Sequence, residues 1–139
     1  MALNQDRITL PKTPFSRTAV LTAAETSFHN PTNVVDLMVA ADNTDGARIT
    51  KLYAIPRATI ATANHIQLYK RSGSTYTLID SVLMATVTPG AAVASTKTDF
   101  GLSLSAPMEL EAGVGLAVAM GQAVANGVVV RCEGGFYAQ

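Results

Sequence analysis

Asn43, Asp45 and Gly46 stand at the spacing of a calcium loop, which places oxygen ligands at alternate positions, a glycine at the sixth and a bidentate glutamate at the twelfth. Here the first position is Ala41 and the twelfth is Leu52, so the stretch reads as a turn whose Asn and Asp side chains bond their own backbone. Gly113-Val114-Gly115 opens like a dinucleotide fingerprint, but Val118 holds the place of the third glycine and no βαβ pattern surrounds it. Gly101-Leu102-Ser103 begins like a nucleophile elbow, yet Ser105 occupies the closing glycine position. Glu109 and Glu111 share one side of a strand, whereas the carboxylates of a glycosidase come from separate elements about 5 to 9 Å apart. A solvated strand face is the expectation there.

His29 and His65 are the two imidazoles, and neither belongs to a helical ligand pair. His65 is expected on the solvent side of a strand with Gln67 and Tyr69, and His29 in a loop. Cys132 is the single cysteine, so no internal disulfide can form, and Val128 and Val130 on its strand face predict a buried structural thiol. These readings assign no catalytic residue, no metal ligand and no cofactor, and the chain is expected not to be an enzyme. Two surfaces are left. Lys70 and Arg71 with Arg57 form the densest basic group, enough for an acidic protein patch but short of a nucleic-acid footprint. Tyr69, Tyr53 and Gln67 suit stacking on a sugar, although tryptophan is absent and aromatics are 6% of the chain.

The 139 residues fit one domain and one core. Ten Lys plus Arg balance ten Asp plus Glu, so nothing attracts phosphate over long range and no nucleic-acid partner is expected. Charged residues are 14% of the chain, against about 25% in ordinary soluble domains. Ala, Thr, Ser and Gly must therefore cover much of the surface, which suits contact with other protein. The start carries no basic segment followed by an apolar run, and no stretch of about 18 apolar residues occurs. Synthesis in a reducing cytoplasm and no membrane span are the expectations.

The elements that must position these residues alternate with period two. Ile66-Gln67-Leu68-Tyr69 and Tyr76-Thr77-Leu78-Ile79 flank the polar connection 70–74, and setting Leu68 opposite Tyr76 and Ile66 opposite Leu78 predicts a hairpin with one buried face. Strands are also expected over 18–23, 33–40, 49–55, 100–105, 108–111, 114–120 and 128–132. A helix over 113–125 is the alternative for good helix formers, but three glycines and alternating valines favour a strand. Asn126-Gly127 signals a hairpin in which 128–132 returns beside 114–120. Residues 86–98 read as a long exposed loop, and 1–17, with Pro11 and Pro14, as an extended N-terminal arm. The sum is an all-β fold, an antiparallel β-sandwich of jelly-roll type with about eight strands over 18–139.

The hairpin, the Ala112-Gly113 turn and the run Gly127-Val128-Val129-Val130 into Glu133-Gly134-Gly135-Phe136-Tyr137 resemble small virion proteins of tailed bacteriophages, prophages and gene transfer agents over about 48–139. The resemblance implies a jelly-roll or sandwich without catalysis that serves as head decoration, as a head-spike or fibre base, or as another accessory part of the particle. It implies residence on the virion head surface, assembly as a homo-oligomer, a ring or trimer, and contact with proteins such as the major capsid protein or a fibre. The candidate contact residues are Pro11, Pro14 and Phe15 in the arm, and Tyr69, Lys70 and Arg71 on the hairpin. A carbohydrate-binding or receptor-contacting module using Tyr69 and Gln67 is the alternative.

Overall fold

Alternating burial organises the chain into nine strands and one short 3-10 turn, seen in a computed structural model that describes residues 10–137. In chain order the strands are β1 (Thr13–Leu21), β2 (Val35–Met38), β3 (Ala47–Pro56), β4 (Asn64–Ser72), β5 (Thr75–Met84), β6 (Thr98–Asp99), β7 (Met108–Leu110), β8 (Gly115–Met120) and β9 (Val128–Phe136). They form two antiparallel sheets: one ordered β1-β9-β3, with β6 and β7 both on the free side of β3, the other ordered β2-β8-β4-β5. The inward faces meet in one apolar core. Leu21, Ile49, Leu52, Val128, Val130 and Cys132 from the first sheet pack with Met38, Ile66, Leu68, Leu116, Val118 and Met120 from the second. The all-β expectation holds at this level.

Local sequence explains how strand faces stay aligned with that core. Ile49 and Leu52 are both fully buried although their spacing is odd, because the register of β3 against β9 shifts between Ile49 and Lys51. A β-bulge takes up the extra residue and returns the apolar set to the interior. Gly134 lies where β9 crosses β3 most closely. A Cβ there would overlap the carbonyl oxygen of Arg48, so only glycine permits this approach.

Several expectations are corrected. Part of the presumed arm, Thr13–Arg17, is the first half of β1 and pairs with β9 from Phe136 to Cys132. Pro14 is tolerated because β1 is an edge strand, where a missing N–H costs no central ladder bond. Residues 1–9 lie outside the described part. The hairpin register also differs: Tyr69 faces Leu78, Arg71 faces Tyr76 and Ser72 faces Thr75, so Gly73 and Ser74 alone make the turn, with Gly73 at φ +61°. A tight turn matches the twist of the flanking strands better than a five-residue loop and leaves fewer backbone groups unpaired. Asn126-Gly127 does not join β8 to β9 as a hairpin, since β8 belongs to one sheet and β9 to the other. Phe100, Leu102 and Leu104 make no strand after Asp99; Phe100 is buried while Leu104 is 85% exposed. The strand reading of 114–120 is right, and no helix forms there.

Replacing Gly134 with alanine is expected to destabilise the fold by on the order of 4 kcal/mol, because backbone rather than a flexible side chain would have to move. Urea unfolding monitored by circular dichroism measures it.

Candidate assembly surface

β8 is buried on both faces along its whole length. Leu116, Val118 and Met120 enter the core, while on the outward side Ala117 and Ala119 are fully buried in a cluster with Tyr69, against which Val34, Tyr76 and Leu78 pack. A Cβ at Gly115 would stand 2.5 Å from the Met38 carbonyl oxygen. The segment from Thr22 to Val34 meets the strand at both ends: Glu25 N–H donates to the Met120 carbonyl at 2.7 Å, beside a bridge between Ala24 and Met120, and Val34 packs on the outward cluster.

That segment is held by one carboxylate. Glu25, 3% exposed, accepts the N–H groups of Thr32 at 2.6 Å and Asn33 at 2.5 Å on one oxygen and that of Ser27 at 3.0 Å on the other. Gln67 Nε2 donates to the Glu25 carbonyl at 3.1 Å, and the Tyr69 hydroxyl donates to Gln67 Oε1 at 2.6 Å. Burial raises the Glu25 pKa, but the backbone donors of Asn33, Ser27, Thr32 and Thr26 outweigh it and hold the carboxyl below its usual range. Tyr69 is pushed up by burial and then by the charge of Glu25. Gln67 and Tyr69, expected on the solvent face, are thus both fully buried. Neither can stack on a sugar.

The other sequence candidates are also drawn into internal ties. Phe15 packs on Phe136 with ring centroids 4.5 Å apart, and Pro11 and Pro14 line a groove of about 390 Å³ with Leu10, Leu104 and Gly135. Lys70 pairs with Glu111, and Arg71 pairs with Asp36 at 2.8 Å, while Arg57 Nε donates to the Asn126 carbonyl at 2.7 Å. The three cations do not form one patch. Glu109 holds Arg48 at 2.6 Å and accepts the Tyr137 hydroxyl at 2.5 Å. Burial raises its pKa, and the bonds from Tyr137 and Arg48 bring it below the usual range. In the former calcium-like stretch, Asn43 is fully buried; its Nδ2 donates to the carbonyls of Glu111 and Val114, and its own carbonyl accepts from Gly113. Among the described residues Asn43 Oδ1 has no hydrogen-bond partner. Cys132 is buried as expected, and burial pushes its thiol up to about 12. Among the described residues, no three His, Cys, Asp or Glu side chains group as a metal site, and no helix is long and apolar enough to cross a membrane.

What the fold leaves open is the flank of β5. Sequence reasoning missed this surface, because the displaced register hid which side chains face outward. Among the described residues β5 bonds only to β4 and ends its sheet. Its exposed or half-exposed side chains include Tyr76, Leu78, Ile79 (41%) and Leu83 (67%). Leu83 lies opposite His65, whose ring meets Phe28 edge to face at 5.2 Å. Phe28 and His29 in turn face Tyr76 and Leu78 across a groove of about 530 Å³. One apolar and aromatic strip therefore follows an open backbone edge, the arrangement used for adding a strand from another chain.

Comparison with protein-family models, with curated proteins and with solved structures finds no match to this chain.

Glu25 has a folded pKa below its ordinary value of 4.5, so its stabilisation is complete above that pH and is lost as pH falls through the folded value. Glu25→Gln is expected to cost about 2 kcal/mol at pH 7 and to flatten the loss of stability between neutral and acid pH; denaturant midpoints at pH 7 and pH 3 measure both. Tyr69→Phe leaves the buried Gln67 Oε1 without its donor and is expected to cost about 1 to 3 kcal/mol in the same assay.

Proposed function

We propose that this chain is a non-enzymatic structural protein of a phage-like virion. It serves as an accessory head component, of decoration or spike and fibre-base type, on a sandwich of jelly-roll topology. The observation that carries the reading is the ten-residue edge strand β5, bonded on one side and lined by exposed Ile79 and Leu83 and half-exposed Tyr76 and Leu78. A long apolar edge is a liability for a free subunit and an asset for one that ends in an assembly.

Two further features support it. The motifs over about 48–139 resemble virion proteins that assemble by symmetry. The polar and charged side chains that drew attention in the sequence are engaged in internal ties: Arg71 with Asp36, Lys70 with Glu111, Arg48 with Glu109, and Gln67 with Glu25 and Tyr69. Such a molecule acts by where it docks. Its partners are further copies of itself, in a ring or trimer, and neighbouring virion proteins such as the major capsid protein or a fibre, on the head surface.

Native mass measurement at high micromolar concentration is expected to give a closed oligomer, and antibody labelling of particles from producing cells is expected to decorate heads. A monomer at every concentration that is absent from every particle would overturn this function.

A further inference from the structure

We propose that β5 of one copy pairs antiparallel with β5 of a second copy across a two-fold axis at Ser81, so that their two four-stranded sheets become one continuous sheet. The contact joins copies in pairs and leaves the closing of a ring or trimer to another surface. It stands whether or not the resulting assembly belongs to a virion.

The edge is open to such a partner. Among the described residues β5 is bonded on one side only, and no loop or isolated bridge bonds to its backbone. Edge strands that must stay single usually carry lysine or proline. β5 contains neither, and its one charged residue is Asp80. That carboxylate accepts the N–H of its neighbour Ser81 at 2.8 Å, an exposed bond that occupies one edge donor while the subunit is alone.

The occupant follows from the order of side chains along the strand. Asp80 and Val82 lie opposite the core residues Leu68 and Ile66, so Ile79, Ser81 and Leu83 alternate to the outward side. Ile79 is 41% and Leu83 67% exposed, with the small Ser81 midway between them. Run antiparallel, this aliphatic–serine–aliphatic pattern matches itself. With Ser81 opposite its mate, Ile79 of each copy meets Leu83 of the other, and four exposed aliphatic side chains gather around the axis. Centring the pair on Asp80 would set like charges directly opposite, whereas with Ser81 on the axis the two carboxylates are diagonal neighbours about 7 to 8 Å apart. A foreign strand would have to carry a matching pattern; a second copy carries it already. The bulge at Ile79 interrupts the alternation and ends the new ladder there, so Tyr76 and Leu78 keep their place beside the Phe28 groove. The overlap from Leu78 to Met84 is about 23 Å long at about 3.3 Å per residue, and two layers of about 10 Å each give it an area on the order of 900 Å² in total. That is less than the roughly 1,200 Å² from which stable interfaces begin and suits a reversible contact. Pairing is therefore expected at high micromolar concentration, with the subunit single when dilute.

Disulfide trapping in the full chain tests this, with the buried Cys132 as a silent background. Residues directly opposite in an antiparallel pair have Cα atoms about 4.5 to 5.5 Å apart, within the reach of a disulfide. Ser81→Cys at high micromolar concentration under mild oxidation is expected to give covalent pairs. Thr77→Cys, exposed on the same strand, would stand about 26 Å from its mate and is expected to stay single. Adding Leu83→Lys to Ser81→Cys places a lysine on the edge at an exposed position; it is expected to abolish the covalent pairs and leave the melting temperature unchanged. The proposal is overturned if Ser81→Cys yields no pairs, if Thr77→Cys pairs as readily, or if the pairs survive Leu83→Lys. Pairing in solution by a chain that is missing from every particle would remove the virion function and leave this contact standing.

Discussion

The outer face of β8 is buried, in part by Val34 and Tyr69, and segment 22–34, tied to Met120 through Ala24 and Glu25, is closed on itself by the Glu25 carboxylate. A two-layer sandwich ordinarily leaves the outer face of each sheet to solvent, with polar side chains alternating outward. Here the outward positions of β8 are Gly115, Ala117 and Ala119: Gly115 lets the backbone of Met38 to Ala40 come close, and the two alanines pack with Tyr69 and Val34. The backbone donors of segment 22–34 then need acceptors away from water. Glu25 supplies several at once, and its ionised form is favoured because the donors converge on it. Gln67 and Tyr69 complete the tie from β4 below. Period-two alternation along β4 turns Gln67 and Tyr69 outward while Ile66 and Leu68 stay in the core, and the bulge opposite them places its extra residue, Ile79, on β5.

Covering one part of the second sheet leaves another part bare. The segment reaches Phe28 and His29 beside the β4–β5 pair but forms no ladder with β5. The outermost strand consequently keeps a free row of peptide groups next to apolar side chains half out of water. In the first sheet the exposed flank of β3 is treated differently: β6 and β7, short strands of two and three residues, pair with its two ends. Among the described residues, two long strands end a sheet with one neighbour each, β1 and β5; β1 carries Pro14 and Arg17, whereas β5 has neither proline nor lysine to blunt its edge.

Much of the architecture was legible from period-two apolar spacing, which identifies β3, β4, β5, β8 and β9 as strands and puts Cys132 inside with Val128 and Val130. Small outward residues on 115–119 also announced a close second layer. Burial on both faces was not legible at β4, because Gln67 and Tyr69 look like solvent-facing residues until Glu25 is brought over them from 42 positions away. The bulges that set the hairpin register and keep Ile49 inward leave no mark in spacing alone. Proline at 11 and 14 read as an arm, whereas an edge strand accepts it. Asn126-Gly127 read as a hairpin because its turn chemistry is local, while the choice of sheet for β9 is decided by pairing with β1 and β3.

The central claim is that this molecule is a stable block whose β5 edge is completed by another chain. Hydrogen exchange by mass spectrometry, compared between dilute and concentrated protein, tests it most directly. The account predicts that amides of Thr75–Met84 gain protection on concentration while those of β8 and β9, already paired on both sides, do not change. Protection that rises elsewhere and leaves β5 exchanging as freely as before would contradict it.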